Sequence, residues 1–479
     1  MPDLRRQVFE SGKTISRKAA SREGSRRTSR TNSAQNSRHS SRNASRHASD
    51  EEDAGNLSDD TALSIGSLDD LTDNPEIDNT NWTEELGDVV EDILDRKRSS
   101  VLSREEAYAS LCRLSKGHYI EEQIRSRGSD LLAAFCRSIK FENSVRETTL
   151  ALRALELLAI TTSDDSIYEN VESLLTRTIR DSTSNDVKAA AIHCLGACTI
   201  FGGASEDGAL DQMTFLLDIA ASDGQSIDAA DDGGSVAAAL QEWGVLATEI
   251  EDLEGESEDA IQIFMDQLNS GQSTVQIAAG ENIALLYEKS YTPQEDDENS
   301  DNGSQDSDEE SFTVNPSSLS GPKLIKRYNA YHNTHELERQ LHSLATVHNK
   351  HISKREKKNL HSNFSSILTT VENPRRGPMY NTAIDQDTNR HYGSKFTVKI
   401  GRQGVMNIDR WWKWIRLNSL RRILQGGFAE HYYQGNRAVL DNLPIMVRQS
   451  TPSDRGMARK AAKLRNSRRW AVQQHSDGE

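Results

Sequence analysis

Cys194 and Cys198 stand four residues apart in "AIHCLGACTI", directly after His193. That spacing sets two thiols on one helical face beside an imidazole, the donor types a tetrahedral zinc site uses. No CxxC pair completes a four-ligand set, and cysteine in an apolar helix packs as a small hydrophobe. The expectation is two core thiols and no bound metal. Six of the thirteen histidines fall between His332 and His361. Here "HELERQLH" returns its second histidine seven residues on rather than four, so the geometry of the HExxH zinc proteases is missing. Ordinary histidines without a metal or catalytic role are expected, with RNA or protein contact as the alternative. No glycine-rich phosphate loop and no nucleophile elbow occurs in the sequence. A non-enzyme without cofactor or small-molecule substrate is therefore predicted.

Two C-terminal stretches carry a different chemistry. "RGMARKAAKLRNSRRW", from Arg455 to Trp470, holds seven bases and no acid: Arg455, Arg459, Lys460, Lys463, Arg465, Arg468 and Arg469. On a helix they project from nearly every face, which suits a narrow passage walled by phosphates rather than a membrane surface. A localisation signal is the plainer reading. "RWWKWIRLNSLRRIL", from Arg410 to Leu424, packs three of the six tryptophans and five bases into fifteen positions. Asn407 or Asp409 is placed to cap this helix and Gly426-Gly427 to end it. Trp411, Leu420 and Ile423 or Leu424 are expected in the core. Arg416, Arg421, Arg422, Trp412 and Trp414 are the candidate RNA contacts, through guanidinium groups and ring faces. The alternative puts all three tryptophans inside.

The elements that must position these groups lie between charged ends. Residues 1–47 hold twelve Lys/Arg against three acids, and residues 395–479 hold seventeen against six, although the whole chain carries a net charge of −17. Basic ends thus flank an acidic body, and a polyanionic partner is gripped by the ends. Only 35% of the 479 residues are hydrophobic, so a large share is tail or linker. No run of eighteen apolar residues and no signal-peptide core is present. Asp3, Glu10 and Glu23 argue against a mitochondrial transit peptide. Four cysteines in apolar helical settings point to reduced thiols of a cytoplasmic or nuclear protein. Seven Ser-Arg dipeptides fill the first fifty residues, where "RRTS" at Arg26 suits a basophilic kinase; a merely solubilising tail is the other reading.

Self-similarity organises the middle. "SVRETTLALRALELL", "DVKAAAIHCLGACTI", "SVAAALQEWGVLATE" and "TVQIAAGENIALLYE" align through their leading valines, Val145, Val187, Val236 and Val275. The valines recur with a period of about 40–50 residues, and apolar residues recur at three and four within each segment, the mark of armadillo or HEAT-type repeats. The fold expected is all-α, a helical-repeat solenoid over 81–290. It follows a disordered Ser/Arg-rich then acidic tail over 1–80. An acidic linker over 291–321, a small basic C-terminal domain over 322–450 and a terminal basic helix and tail over 451–479 complete the chain. "SKFTVKI" alternates as a short strand.

The block "FTVKIGRQGVMNIDRWWKWIRLNSLRRILQGGFAEHYYQGNRAVLDNL", from Phe396 to Leu443, resembles the C-terminal domain of the interferon-related developmental regulator family. "NIDRWWKW" stands at the family's IDSW-like turn and "GGFAEHYYQGN" at its closing segment. "SKREKKNLHSNFSSILTTVE" is similar to a preceding basic segment of that family. The resemblance spans about 80–470 and leaves out the Ser-Arg tail. It implies a non-enzymatic regulator in one of two settings. In the first, the protein binds 80S ribosomes, through rRNA and ribosomal proteins with tRNA as a further candidate partner. It then keeps them translationally inactive, with the solenoid on the tRNA side and the basic segment from Arg455 to Arg469 in the mRNA path. In the second, it is a nuclear transcription co-regulator whose repeat groove binds repressor complexes.

Overall fold

The computed structural model describes residues 81–293, 324–346 and 354–447, apart from residues 98, 386–389, 395, 401–403 and 444–445. The Ser-Arg tail, the acidic linker and the basic segment over 455–470 lie outside the described residues.

Serine and aspartate start several helices by accepting a backbone N–H three residues on. Ser100 Oγ accepts from Ser103 N at 3.1 Å, Ser144 Oγ from Glu147 N at 2.9 Å and Asp232 Oδ2 from Ser235 N at 2.8 Å. The helices they begin are α2 (Val101–Gly117), α5 (Val145–Thr162) and α9 (Gly233–Glu249). Between and around these come α1 (Trp82–Leu94), the one-turn α3 (Glu121–Ile124), α4 (Gly128–Phe141), α6 (Ile167–Asp181), α7 (Asn185–Phe201), α8 (Glu206–Ala221), α10 (Glu254–Gln267) and α11 (Ser273–Lys289). The four aligned sequence segments are α5, α7, α9 and α11.

Those four stack in one row, α5 on α7, α7 on α9 and α9 on α11, while α4, α6, α8 and α10 back them from outside. A fifth pair, α1 with α2, extends both rows at the N-terminal end. The solenoid read from periodicity is thus the observed architecture, one repeat longer than the alignment alone gave. The outer helices α4 and α6 are apolar along one stripe, whereas α7 and α9 are apolar almost all round. A helix of the second kind is covered on every side. Something besides the outer row must therefore lie on the inner one.

The covering comes from the C-terminal half. Strand β1 (Tyr291–Pro293) pairs antiparallel with β2 (Leu324–Lys326), so the two ends of the acidic linker are tied together. Helix α12 (Thr334–Thr346) packs on α13 (Lys354–Glu372), and α13 lies along α11. Phe364 and Ile367 of α13 close over Gly280, where a Cβ would meet Ile367 Cδ1 at 2.7 Å. Hairpin β3 (Tyr380–Asp385) with β4 (Arg390–Ser394) follows, then a three-stranded sheet of β5 (Thr397–Ile400), β6 (Gly404–Asn407) and β7 (Met446–Val447) in that order. The expected strand in "SKFTVKI" is β5. Helices α14 (Trp411–Leu424), α15 (Phe428–Tyr433) and α16 (Arg437–Asn442) run from the sheet across the inner row. Among the described residues no helix is long and apolar enough to cross a membrane.

Candidate functional site: the tryptophan helix in the solenoid groove

Helix α14 contacts α5, α9 and α11, and none of its fourteen residues is exposed. That enclosure answers why its sequence is apolar and cationic on every face. Trp411, Leu417, Leu420, Ile423 and Leu424 are buried to within 2%, so the residues expected in the core are there, and Trp411 with them. Trp414 is buried as well, edge-on to Phe396 with ring centroids 5.6 Å apart. Trp412 is half-buried, with the Arg416 guanidinium 5.2 Å above its ring.

The helix is held at both ends by groups from the repeats. Neither Asn407 nor Asp409 caps it; Arg410 takes the cap position without a side-chain bond. The buried Glu288 of α11 accepts instead from Trp411 N at 2.9 Å and Trp412 N at 3.3 Å. A carboxylate at a helix N-terminus meets the free N–H groups and the positive end of the helix dipole. Asp409 is occupied by Lys413 Nζ at 2.5 Å. At the other end Arg153 of α5 donates to Ile423 O at 2.9 Å and also to Arg422 O. Along the length, Trp411 Nε1 donates to Thr370 Oγ1 at 2.7 Å and Trp414 Nε1 to Glu281 Oε1 at 2.8 Å.

The arginines proposed for RNA are therefore placed differently than their charge suggested. Arg422, 8% exposed, forms ion pairs with Glu242 Oε1 at 2.7 Å and Glu156 Oε1 at 3.3 Å. Glu242 Oε1 also meets His193 Nδ1 at 2.7 Å, and Glu156 pairs with Arg153 at 3.1 Å. Burial, and then the Arg422 charge, lower the His193 pKa, so the imidazole stays neutral. Two arginines thus balance two glutamates in a closed interior network, and Arg422 is unavailable to a partner. Arg416 donates to Thr248 Oγ1 at 2.8 Å and pairs with Glu249 at 2.7 Å. Arg421 is half-buried. The one-dimensional signal that would have shown this is the row of glutamates on otherwise apolar helices, Glu156, Glu242, Glu281 and Glu288. Each is an acid in a stretch with no solvent face, and so each demands a donor.

The remaining C-terminal helices clamp the far end of the groove. His431 is fully buried, its Nε2 donating to Ser115 O at 2.7 Å while Nδ1 meets Asn436 Nδ2 at 3.0 Å. Asn436 Nδ2 reaches Ile160 O at 3.1 Å. Of the histidines singled out upstream, His332 and His335 are surface groups, on Glu258 and near Glu338, and His361 is half-buried, whereas His348 and His351 lie outside the described residues. Cys194 and Cys198 are wholly buried in α7, and burial raises the Cys194 thiol well above its usual value.

The buried carboxylates give the docked helix a pH dependence. Burial pushes Glu288 up to about 7 against the opposing Trp411 N–H, and burial likewise raises Glu281 to about 7. A carboxyl whose folded pKa exceeds its unfolded one holds its proton more readily when folded. Stability then falls as pH rises from the ordinary carboxylate range through about 7, and recovers on acidification by up to about 1.4 kcal/mol per pH unit for each group. Lys289, which burial lowers to about 8, and His193 and His431, which burial also lowers, oppose this trend over the same range, because each binds its proton more readily in the unfolded chain. Glu288 and Glu281 together therefore add about 1–2 kcal/mol of stability from pH 8 to pH 6.5, and urea unfolding followed by tryptophan fluorescence should show Glu288→Gln losing about half of that contribution relative to the parent chain. An unchanged slope in that variant would count against the capping role.

Residues 39–372 match the sequence model of the interferon-related developmental regulator family, well over half of the chain. The chain belongs to the interferon-related developmental regulator family. The family match begins inside the Ser-Arg tail, well ahead of the resemblance read from sequence. It ends with α13, so the block from Phe396 to Leu443 lies beyond it. An uncharacterized protein of Schizosaccharomyces pombe is 26% identical over 377 residues, covering 77% of this chain and 76% of the relative.

Proposed function

We propose that this protein is a non-enzymatic ribosome-binding factor. On this reading it keeps 80S ribosomes translationally inactive, its body across the tRNA sites and the segment from Arg455 to Arg469 in the mRNA path. Its place of action is the cytoplasm. The observation that carries the reading is the division of labour among the C-terminal bases. In α14, Arg416 and Arg422 are spent on Glu249, Glu156 and Glu242, and Lys413 on Asp409. The seven bases from Arg455 onward follow shortly after Val447, whose strand is tied to β6. A cationic segment following an anchored strand suits insertion into a channel walled by phosphate. The alternative of a nuclear co-regulator needs an open groove for its repressor complex. Helix α14 already fills the inner face from α5 to α11, which favours the ribosome.

Co-sedimentation with purified 80S ribosomes across a salt series tests this. The full chain is expected to be retained at moderate salt, and a truncation ending at Ser450 to bind at least tenfold more weakly with a flatter salt dependence. Absence of the full chain from the ribosomal pellet even at low salt would favour the nuclear reading.

A further inference from the structure

Serine recurs at every fourth position from Ser21 to Ser49, eight times without a slip. Arginine follows it directly at Arg22, Arg26, Arg30, Arg38, Arg42 and Arg46. The unit is a Ser-Arg-x-x tetrapeptide, so each arginine stands three residues before the next serine. Ser25, Ser29, Ser33, Ser41, Ser45 and Ser49 carry arginine there, and Ser21 carries Lys18. A guanidinium at that offset is what a kinase with an acidic substrate groove reads, because the planar fork pairs with carboxylates through two parallel bonds. The family match starts at residue 39, so Ser21 to Ser37 precede it.

The folded body uses the same spacing differently. Arg416-x-x-Ser419 lies in α14, where Ser419 is 8% exposed and Arg416 is held by Glu249 and Thr248. In Arg96-x-x-Ser99 the arginine donates to Ala134 O at 3.0 Å and the serine hydroxyl to Arg96 O at 3.3 Å. The fold occupies the motif in both places.

We propose that residues 21–49 are a multisite phosphoacceptor array for an arginine-directed serine kinase, and that its modification reverses the charge of the N-terminal arm. In each step the serine Oγ attacks the γ-phosphorus of Mg·ATP. The Oγ–P bond forms as the bond to ADP breaks, and the hydroxyl proton passes to the kinase's catalytic aspartate. The arm over 1–47 has nine more bases than acids, and each phosphate brings about −1.5 to −2. About five or six phosphates therefore cancel it. Seven of the eight serines, all but Ser37, carry a base three residues before them, and so many regularly spaced acceptors make the response graded, with affinity for a polyanion falling as sites fill.

The test uses the full chain, the catalytic subunit of cyclic-AMP-dependent kinase and Mg·ATP, with intact mass, peptide mapping and elution from heparin as readouts. At least five phosphates within 21–49 and elution at lower salt are expected. Replacing all eight array serines by alanine should leave at most one phosphate and an elution position that the kinase does not move. Fewer than five phosphates, or phosphates mapping mainly outside 21–49, would overturn the array. Full modification with unchanged elution would overturn the charge reversal. Heparin stands in for any polyanion, so neither outcome depends on the ribosome being the partner.

Discussion

Arg422→Ala lowers the unfolding free energy by about 3–5 kcal/mol, the penalty for leaving buried charge uncompensated. Its guanidinium is the only permanent cation facing Glu242 among the described ion pairs, and Glu156 keeps only Arg153 once it is gone. Glu242 cannot turn to water. Its Oε2 lies over Gly196, where a Cβ would come within 2.2 Å of it, and the residue is 1% exposed. Adding Glu242→Gln to Arg422→Ala should restore at least a third of the loss, since a neutral amide removes the stranded charge. The measurement is urea unfolding of the single and double variants followed by tryptophan fluorescence, with the pair term taken from the cycle. A single-variant loss below about 1 kcal/mol would mean that α14 is not fastened through this network. The same variant bears on function. If the docked block aims the segment from Arg455, Arg422→Ala should weaken ribosome retention although every base of that segment is intact.

Gly427→Ala is the second large effect, about 3 kcal/mol, at the upper end of what overpacking costs. A Cβ at Gly427 would stand 1.7 Å from Lys116 O and 2.6 Å from its carbonyl carbon. Both obstacles are backbone, so α15 must move off the end of α2 and carry the His431 bond to Ser115 with it. Gly426 is the internal control, because nothing lies within 4 Å of a Cβ built there. Gly426→Ala should change stability by less than about 0.5 kcal/mol. Thermal unfolding together with hydrogen exchange over residues 428–443 reads both variants, and equal responses at the two glycines would refute the close approach.

The repeat rows were legible because local patterns carried them. The recurrence around Val145, Val187, Val236 and Val275 reflects helices that must each bury one face on the next, and that requirement is written within every aligned segment. The role of α14 was not legible in the same way. Its arginines are visible as charge, but Glu156 and Glu242 belong to repeats far earlier in the chain. Nothing local says that such charges meet. Cationic groups without a visible counter-charge suggested RNA, and for Arg416 and Arg422 tertiary pairing prevailed. The missed cap has the same cause. Asn407 and Asp409 were judged by proximity in sequence, whereas Glu288 reaches the N–H groups of α14 from another helix. The candidate contacts at Arg455, Arg459, Lys460, Lys463, Arg465, Arg468 and Arg469 lie outside the described residues and rest on their sequence.

The cover on the inner row also sets an order of events during synthesis. Helix α11 ends at Lys289, whereas the helix that finishes the groove ends only at Leu424. At roughly 5–20 residues per second, the nascent solenoid waits about 7 to 27 s between the two with α7 and α9 uncovered. During that interval Glu156, Glu242 and Glu288 lack the partners that α14 brings them. A chain cut short before Trp411 would remain in that state indefinitely, an apolar trough studded with acids. Quality control would then recognise an incomplete chain by its open groove, with no need to sense the missing tail.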